Sequence, residues 1–506
     1  MIFLLFHVKL KYLEEIGPNM NKILALIIAL IILIGVSGVS YLVFIAGDDD
    51  DDPVEETGPF VFDEPVPTTT HYHFDGGNNA IDNPLADNLS GDNIPLNAQG
   101  TYYSIDVDTF EPTIGVTSTG TLFMTNHNGL GEGTHIIRSQ DQGQTWEDIG
   151  PFGASGGQVP NSNDPYLYVD PWTDRLVKFD MHALLGMTFE YSDNEGDTWS
   201  PPVAVTGESP QDHQTIASMP PPDDFPFITT YPTIYVYSIN TGLQGGGVGG
   251  SYGENSFDGG TTWNHPEVPH YEIGKSPAAG LSGHLVGANN GYIYRGQPSS
   301  GGPAAYRSTD GGFLWTEHTI TTQTGTQSHE VAIGTDEESN VHALWIGSND
   351  QPYYSNSQDF GETWRDPIMV APPGVNGTGF PTLAGGADGK VAFAYIGNTL
   401  EGPGWSGYLG IITDAFADDP LITTVAVNDP SDPLDTTTDC GYVRCGGFGD
   451  FIDICIDPDG RPWAAMANNE HNQVGIVGTF ATGPSLRGDL DYLPPLPLGG
   501  PSTIDL

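Results

Sequence analysis

Carboxylates and imidazoles recur just ahead of short apolar runs in this chain. Asp164 lies before "YLYV", Asp212-His213 before "TIASM", His284 before "LVG", His329-Glu330 before "VAIG" and Asp450 before "DICI". Gathered in one place, such groups have two chemical uses. Oxygen donors hold a hard cation such as calcium, with Asp164, Asp212 and Asp450 as the candidate metal ligands. Imidazole beside carboxylate moves protons near neutral pH, which makes Asp164, Asp212, Glu330 and Asp450 candidates for acid–base catalysis. His213, His284 and His329, joined by Arg295, Arg444 and Lys275, are the candidate ligand-binding groups. The plainer alternative is a hydrated polar channel whose side chains bond one another.

The elements that must position these groups are strands. Short apolar stretches pair across tight polar turns in "TIGVTSTGTLFMT", "YLYVDPWTDRLVKF", "TIASMPPPDDFPFITTYPTIYVYS", "HLVGANNGYIYR", "EVAIGTDEESNVHALW", "PTLAGGADGKVAFAY" and "DICIDPDGRPWAAM". Their alternation is that of half-buried strands, and seven such hairpins are counted.

A second repeat follows five of the seven. The copies are "SQDQGQTW" at 139, "SDNEGDTW" at 192, "SFDGGTTW" at 256, "STDGGFLW" at 308 and "SQDFGETW" at 357. The pattern S-x-D-x-G-x-T-W recurs with a period near fifty, the mark of an array of similar units. Its recurring positions are Ser139, Asp141, Gly143 and Trp146; Ser192, Asn194, Gly196 and Trp199; Ser256, Asp258, Gly260 and Trp263; Ser308, Asp310, Gly312 and Trp315; Ser357, Asp359, Gly361 and Trp364. Asn194 stands for Asp in the second copy, and Leu314 for Thr in the fourth. The chemistry is that of a turn. Asp or Asn accepts backbone N–H bonds within its own loop. Gly supplies a backbone angle that other residues avoid. Trp fills the apolar layer alongside. The sixth and seventh units carry only degenerate segments, "YLGIITDAF" and "VGIVGTF".

This repeat resembles the Asp box, or BNR repeat, of the sialidase superfamily, over residues 100 to 480. The resemblance implies an all-β propeller in which each box joins the third and fourth strands of a blade and lies away from the working face. Seven blades are expected here, with six, the number in the family, as the alternative. A closed ring leaves no long sheet edge exposed. Residues 101 to 108 are the candidate strand that closes it by sharing a blade. In a propeller the first-to-second and third-to-fourth turns share one face, and the remaining loops share the other. The first class is mostly short in this chain. The second is long, as in "GLQGGGVGGSYG" at 242, "GNTLEGPGWSG" at 397 and most of 425 to 448, and function concentrates on such loops. The candidate acids and histidines begin the inner strands at that second face.

The resemblance also implies exo-sialidase chemistry: three arginines on the substrate carboxylate, a Tyr nucleophile paired with Glu, and an Asp acid/base. The chain departs from that pattern. Arg138, Arg175, Arg307, Arg365 and Arg461 fall toward the box face, and Arg487 lies in the tail. Arg295 and Arg444 alone are expected on the loop-rich face, with Lys275. The region before the first box, "DVDTFEPTIGVTSTG", has no Arg where the family has an R-I-P motif. Tyr442 with Glu330 is the pair that would have to serve as nucleophile and partner. The expectation is therefore a glycan- or protein-binding module without sialidase activity. A glycosidase, either of the exo-sialidase type or acting on another sugar, is the alternative, and a calcium-stabilised surface protein is the third.

Charge and termini place the chain. There are 65 acidic against 14 basic residues, a net charge of −51. Phosphate binding needs clustered cations, so nucleic acid is excluded as a partner. Residues 23 to 46 form an uncharged apolar run long enough to span a bilayer. Lys22 precedes it and Asp48 to Asp52 follow, which orients the bulk of the chain outside the cell. Residues 1 to 22 are read as a cytoplasmic end, with 1 to 19 as a start-site artefact. Residues 47 to 100 are read as an acidic tether, 101 to 482 as the propeller and 483 to 506 as a tail. Secretion after cleavage of a signal peptide is the alternative to a retained anchor. Sequons at Asn88 and Asn376 fit an exported chain. Outside the cell Cys440 and Cys445 can close a small disulfide loop, with Cys455 buried in a strand. Three cysteines with no C-x-x-C pair do not make a structural zinc cage.

Overall fold

A computed structural model describes strands at 60–61 and 69–72 and the span 99–496, apart from 127–133, 152–164, 183–185, 206–210, 242–249, 265–282, 328–329, 373, 400–403, 429–432, 437–448, 450, 469–473 and 489. Its sheets are seven, all antiparallel, and five of them are built entirely from strands consecutive in the chain, while the other two also take strands from its beginning, which is a seven-bladed β-propeller. Blade one shows the plan: Ile114–Val116 innermost, then Leu122–Asn126, His135–Ser139 and Glu147–Gly150. The innermost strands of the next six blades are Leu167–Val169, Gln211–Met219, Leu285–Gly287, Val331–Thr335, Val375–Gly385 and Asp453–Ile456. Among the described residues blade three has three strands.

The ring closes as the sequence implies. Blade seven takes Asp453–Ile456, Pro462–Asn468 and Val474–Thr482 from the end of the chain and Gln99–Asp108 from its beginning. Val477 pairs with Tyr103 and Thr479 with Thr101 in that junction. Two short strands from the stretch read as a tether lengthen the outer edges: Phe60–Val61 pairs with the closing strand, and Thr69–Tyr72 with the outer strand of blade six.

Each blade is apolar on both faces, because each packs against two neighbours. In blade two, Val177, Phe179 and Met181 meet blade three, while Leu176 meets blade one. The innermost-to-second turns are tight, closed by bonds such as Asp170 N to Arg175 O at 2.9 Å and Asp457 N to Arg461 O at 2.9 Å. Blade three is the exception, with Pro220 to Thr233 looping between its first two strands. The tail past Thr482 folds back across the box end of the later blades. Leu486 is fully buried there, and its N–H donates to Gly460 O at 2.9 Å. Among the described residues no helix is long and apolar enough to cross a membrane, and residues 23 to 46 lie outside them.

Candidate functional site

The five boxes close the third-to-fourth corners by one repeated set of bonds. In each, the Ser hydroxyl donates to the Asp or Asn side chain two residues on, at 2.7 to 2.9 Å. The glycine N–H donates back to the same hydroxyl at 2.8 to 3.0 Å. The box carboxylate or amide accepts the N–H four residues beyond it. Burial pushes the Asp258 and Asp359 carboxyls up, but the bonds from Thr262, Ser256, Thr363 and Ser357 outweigh it and hold both below the usual range. These corners are scaffold. Gly260, at φ +87°, sits where a Cβ would overlap the Phe189 ring of the preceding blade.

The arginines beside the boxes are scaffold too, because each ties its blade to the next. Arg138 donates to Glu195 O at 2.7 Å and to Asp197 at 2.9 Å. Arg175 grips Asp193 with two bonds of 2.6 and 2.9 Å, reaches Gly259 O at 2.7 Å, and lies between the Tyr191 and Tyr231 rings. Arg307 donates to Phe360 O and Glu362, and Arg365 to Ala415 O and Ala417 O. Blade three has no such arginine; Asn255 does the work by donating to Gly311 O at 2.9 Å. Lys178 is enclosed in blade two against Asp180 at 2.6 Å and Glu190 at 3.3 Å.

Arg295 departs from expectation. Its register opposite Leu285 and Tyr306 turns the side chain into the wall between blades three and four, where it is fully buried and its Nη2 donates to Asn240 at 2.6 Å. A guanidinium held there does not face solvent at the channel mouth. Arg444, Lys275, Tyr442, Asp164, His329 and Asp450 lie outside the described residues, as do Cys440 and Cys445. Asp212 is placed on the first strand of blade three by its backbone alone. Among the described residues no group of three His, Cys, Asp or Glu is arranged to hold a metal ion.

The structure does bring His213, His284 and Glu330 together, at the loop-side end of the hub. A bulge between Asp212 and Thr215 breaks the register of the first strand of blade three, and His213 sits in it at φ +53°. Bulges redirect side chains, and a positive φ on a non-glycine residue is strain that its surroundings must hold. His213 Nε2 lies 2.7 Å from Glu330 Oε1 of blade five, and both residues are buried. His284 of blade four lies across the axis from blade seven, with Nδ1 3.5 Å from Asp453 Oδ1. Asp453 Oδ2 accepts the Ile114 N–H of blade one at 3.0 Å. Phe451 stands edge-on to both imidazoles, at 5.5 and 5.1 Å between ring centroids. Tyr166 of blade two packs against His284, and its hydroxyl bonds Thr215 at 2.9 Å.

Six blades therefore contribute to one cross-hub cluster, beneath which the inner strands line a cavity of about 450 Å³. Its wall includes Tyr166, His284, Glu330, Asp453 and Cys455, and Trp172, Glu337 and Arg487 lie toward the box end. Burial pushes the Cys455 thiol well above its usual range, so it is an inert wall residue. Sequence reading missed Asp453, Tyr166 and Phe451. Asp453 was visible in principle as the first residue of the "DICI" strand, but nothing local marked it over Asp450.

No known protein family matches the sequence, and no curated protein does. Solved structures do. The intramolecular trans-sialidase from Ruminococcus gnavus is 13% identical and covers 74% of this chain and 94% of its own, with a TM-score of 0.37. The NanB sialidase of Streptococcus pneumoniae is 11% identical over 82% of this chain and 99% of its own, at 0.39. The fucoside-bound lectin of Aleuria aurantia is 10% identical over 67% of this chain and 99% of its own, at 0.38.

Proposed function

We propose that this chain is a surface-displayed binding propeller, held at the membrane through residues 23 to 46, which takes a glycan or protein ligand at its loop-rich face and lacks sialidase activity. The observation that carries this reading is the fate of the cations. A sialic acid carboxylate needs bidentate guanidinium donors facing the pocket. Every described lysine and arginine is instead committed to joining blades, filling a wall or docking the tail. The acidic balance of the whole chain also repels an anionic sugar. The test uses the full chain in detergent micelles, on a glycan array and against a fluorogenic sialoside. Ligand capture without release of sialic acid is the expected result. Release that disappears on Arg444→Ala would overturn the reading.

A glycosidase acting on an uncharged sugar is the second reading. The His213–Glu330 and His284–Asp453 pairs favour it, because both place imidazole beside carboxylate at the hub. Turnover of a neutral fluorogenic glycoside by the full chain, lost in a folded Glu330→Gln variant, would favour it over the binding module.

A further inference from the structure

The face formed by the boxes is not uniform, and one apolar region on it arises from two separate departures in sequence. The first is the long turn of blade three, "PPPDDFPFITTYPT", where the other blades use tight turns. It leaves Phe227 51% and Ile228 89% exposed. The second is the box of blade four, which has Phe313-Leu314 where the other four copies have a polar residue and Thr. Leu314 is 73% exposed and so gains nothing from the fold. The two departures meet: the Phe227 ring lies 5.3 Å from Phe313 and is stacked at 5.7 Å on Phe257. A large exposed apolar group of this kind marks an interaction surface.

The charges around it select the partner. Asp223 and Asp224 are exposed at the base of the loop, and Glu317 is exposed just past Leu314. None of them forms an ion pair with a described residue, while the nearby cations Arg175 and Arg307 are already held by Asp193 and Glu362. A second copy of this chain, at net −51, is repelled from such a rim, and so is an anionic lipid surface. We propose that the patch formed by Phe227, Ile228 and Leu314 docks a partner protein through a segment that presents apolar side chains flanked by lysine or arginine. The site lies on the box face, so it is separate from the ligand reading given for the hub and loops.

The test uses the full chain in micelles and a fluorescein-labelled amphipathic peptide of alternating leucine and lysine, with a leucine–glutamate twin as control. Leu314→Thr restores the residue that the other boxes carry, so it is expected to fold, and Ile228→Thr acts on the loop. Expected is binding of the lysine peptide that weakens with salt and falls about tenfold in each variant, with no binding of the twin. Equal binding by the parent and both variants overturns the proposal. So does transfer to phosphatidylcholine vesicles, or a concentration-dependent dimer, that the same substitutions abolish while peptide binding is unchanged.

Discussion

The box corners and the hub cluster are both hydrogen-bonded polar structures, yet they are built in opposite ways. A box closes within eight residues, by bonds spanning two or four positions, and does so five times. The hub cluster is assembled once, from groups as distant as the side chains of His213 and Glu330, or the Ile114 N–H and the Asp453 carboxylate. The box tolerates exchange at its Asp position, as Asn194 shows with the same bond set. The hub has no spare copy, and its His213 is held in a strained backbone. Repetition, then, marks what holds this molecule together, while the single, long-range cluster is where binding or proton chemistry has room to be specific.

Four substitutions sharpen that contrast. The largest effect is expected at Gly260→Ala, because a positive φ and the Phe189 ring of the preceding blade both oppose a Cβ; about 3 kcal/mol of stability is lost by denaturant titration. Gly120→Ala, at the same φ of +87° with open space around it, should lose only about 1 kcal/mol. If the two losses are equal, blade packing is not what the box glycine serves. Next comes Glu330→Gln, which leaves His213 buried beside a neutral amide. About 2 kcal/mol is expected from thermal unfolding, and an unchanged melting temperature would show the pair is not a structural tie.

The smallest effect is expected at Asp258→Asn. At pH 7 it should change stability by less than about 0.5 kcal/mol, because the amide keeps the turn bonds, as Asn194 does. On acidification the variant should instead gain on the parent. The Asp258 carboxyl is held below its usual value when folded, so its stabilisation is complete above the ordinary carboxylate range and is lost as pH falls through the lowered one. Parallel acid-unfolding curves for parent and variant would remove the carboxylate from the account of the turn.

The same contrast explains what could be read from sequence. The boxes were legible to the residue, since each bond partner is a near neighbour in the chain. The hairpins, and with them the count of seven blades, followed from alternation and tight turns, and the closing strand followed from the ring that the resemblance of the boxes implies. At the hub, His213, His284 and Glu330 were found because they stand at strand starts. Asp453 was not, because its value comes from reaching His284 on the opposite side of the ring, which no local pattern encodes. Arg295 went wrong for a related reason: its place on the second strand of its blade was legible, but which side of that strand faced a neighbouring blade was not. The exposed Leu314 was visible as a flaw in a repeat, and only its contact through Phe313 with the loop of blade three gives that flaw a meaning.

The shared blade has a consequence for how the chain must be made. Gln99–Asp108 leaves the ribosome long before Val474–Thr482, the strand it has to lie beside. Until that late partner arrives, blades one to six exist as an arc with two bare flanks, one at each end. A nascent chain stalled before residue 474 would thus present unfinished sheet to its surroundings, and fragments trimmed at either end should be recovered as aggregates rather than as smaller rings.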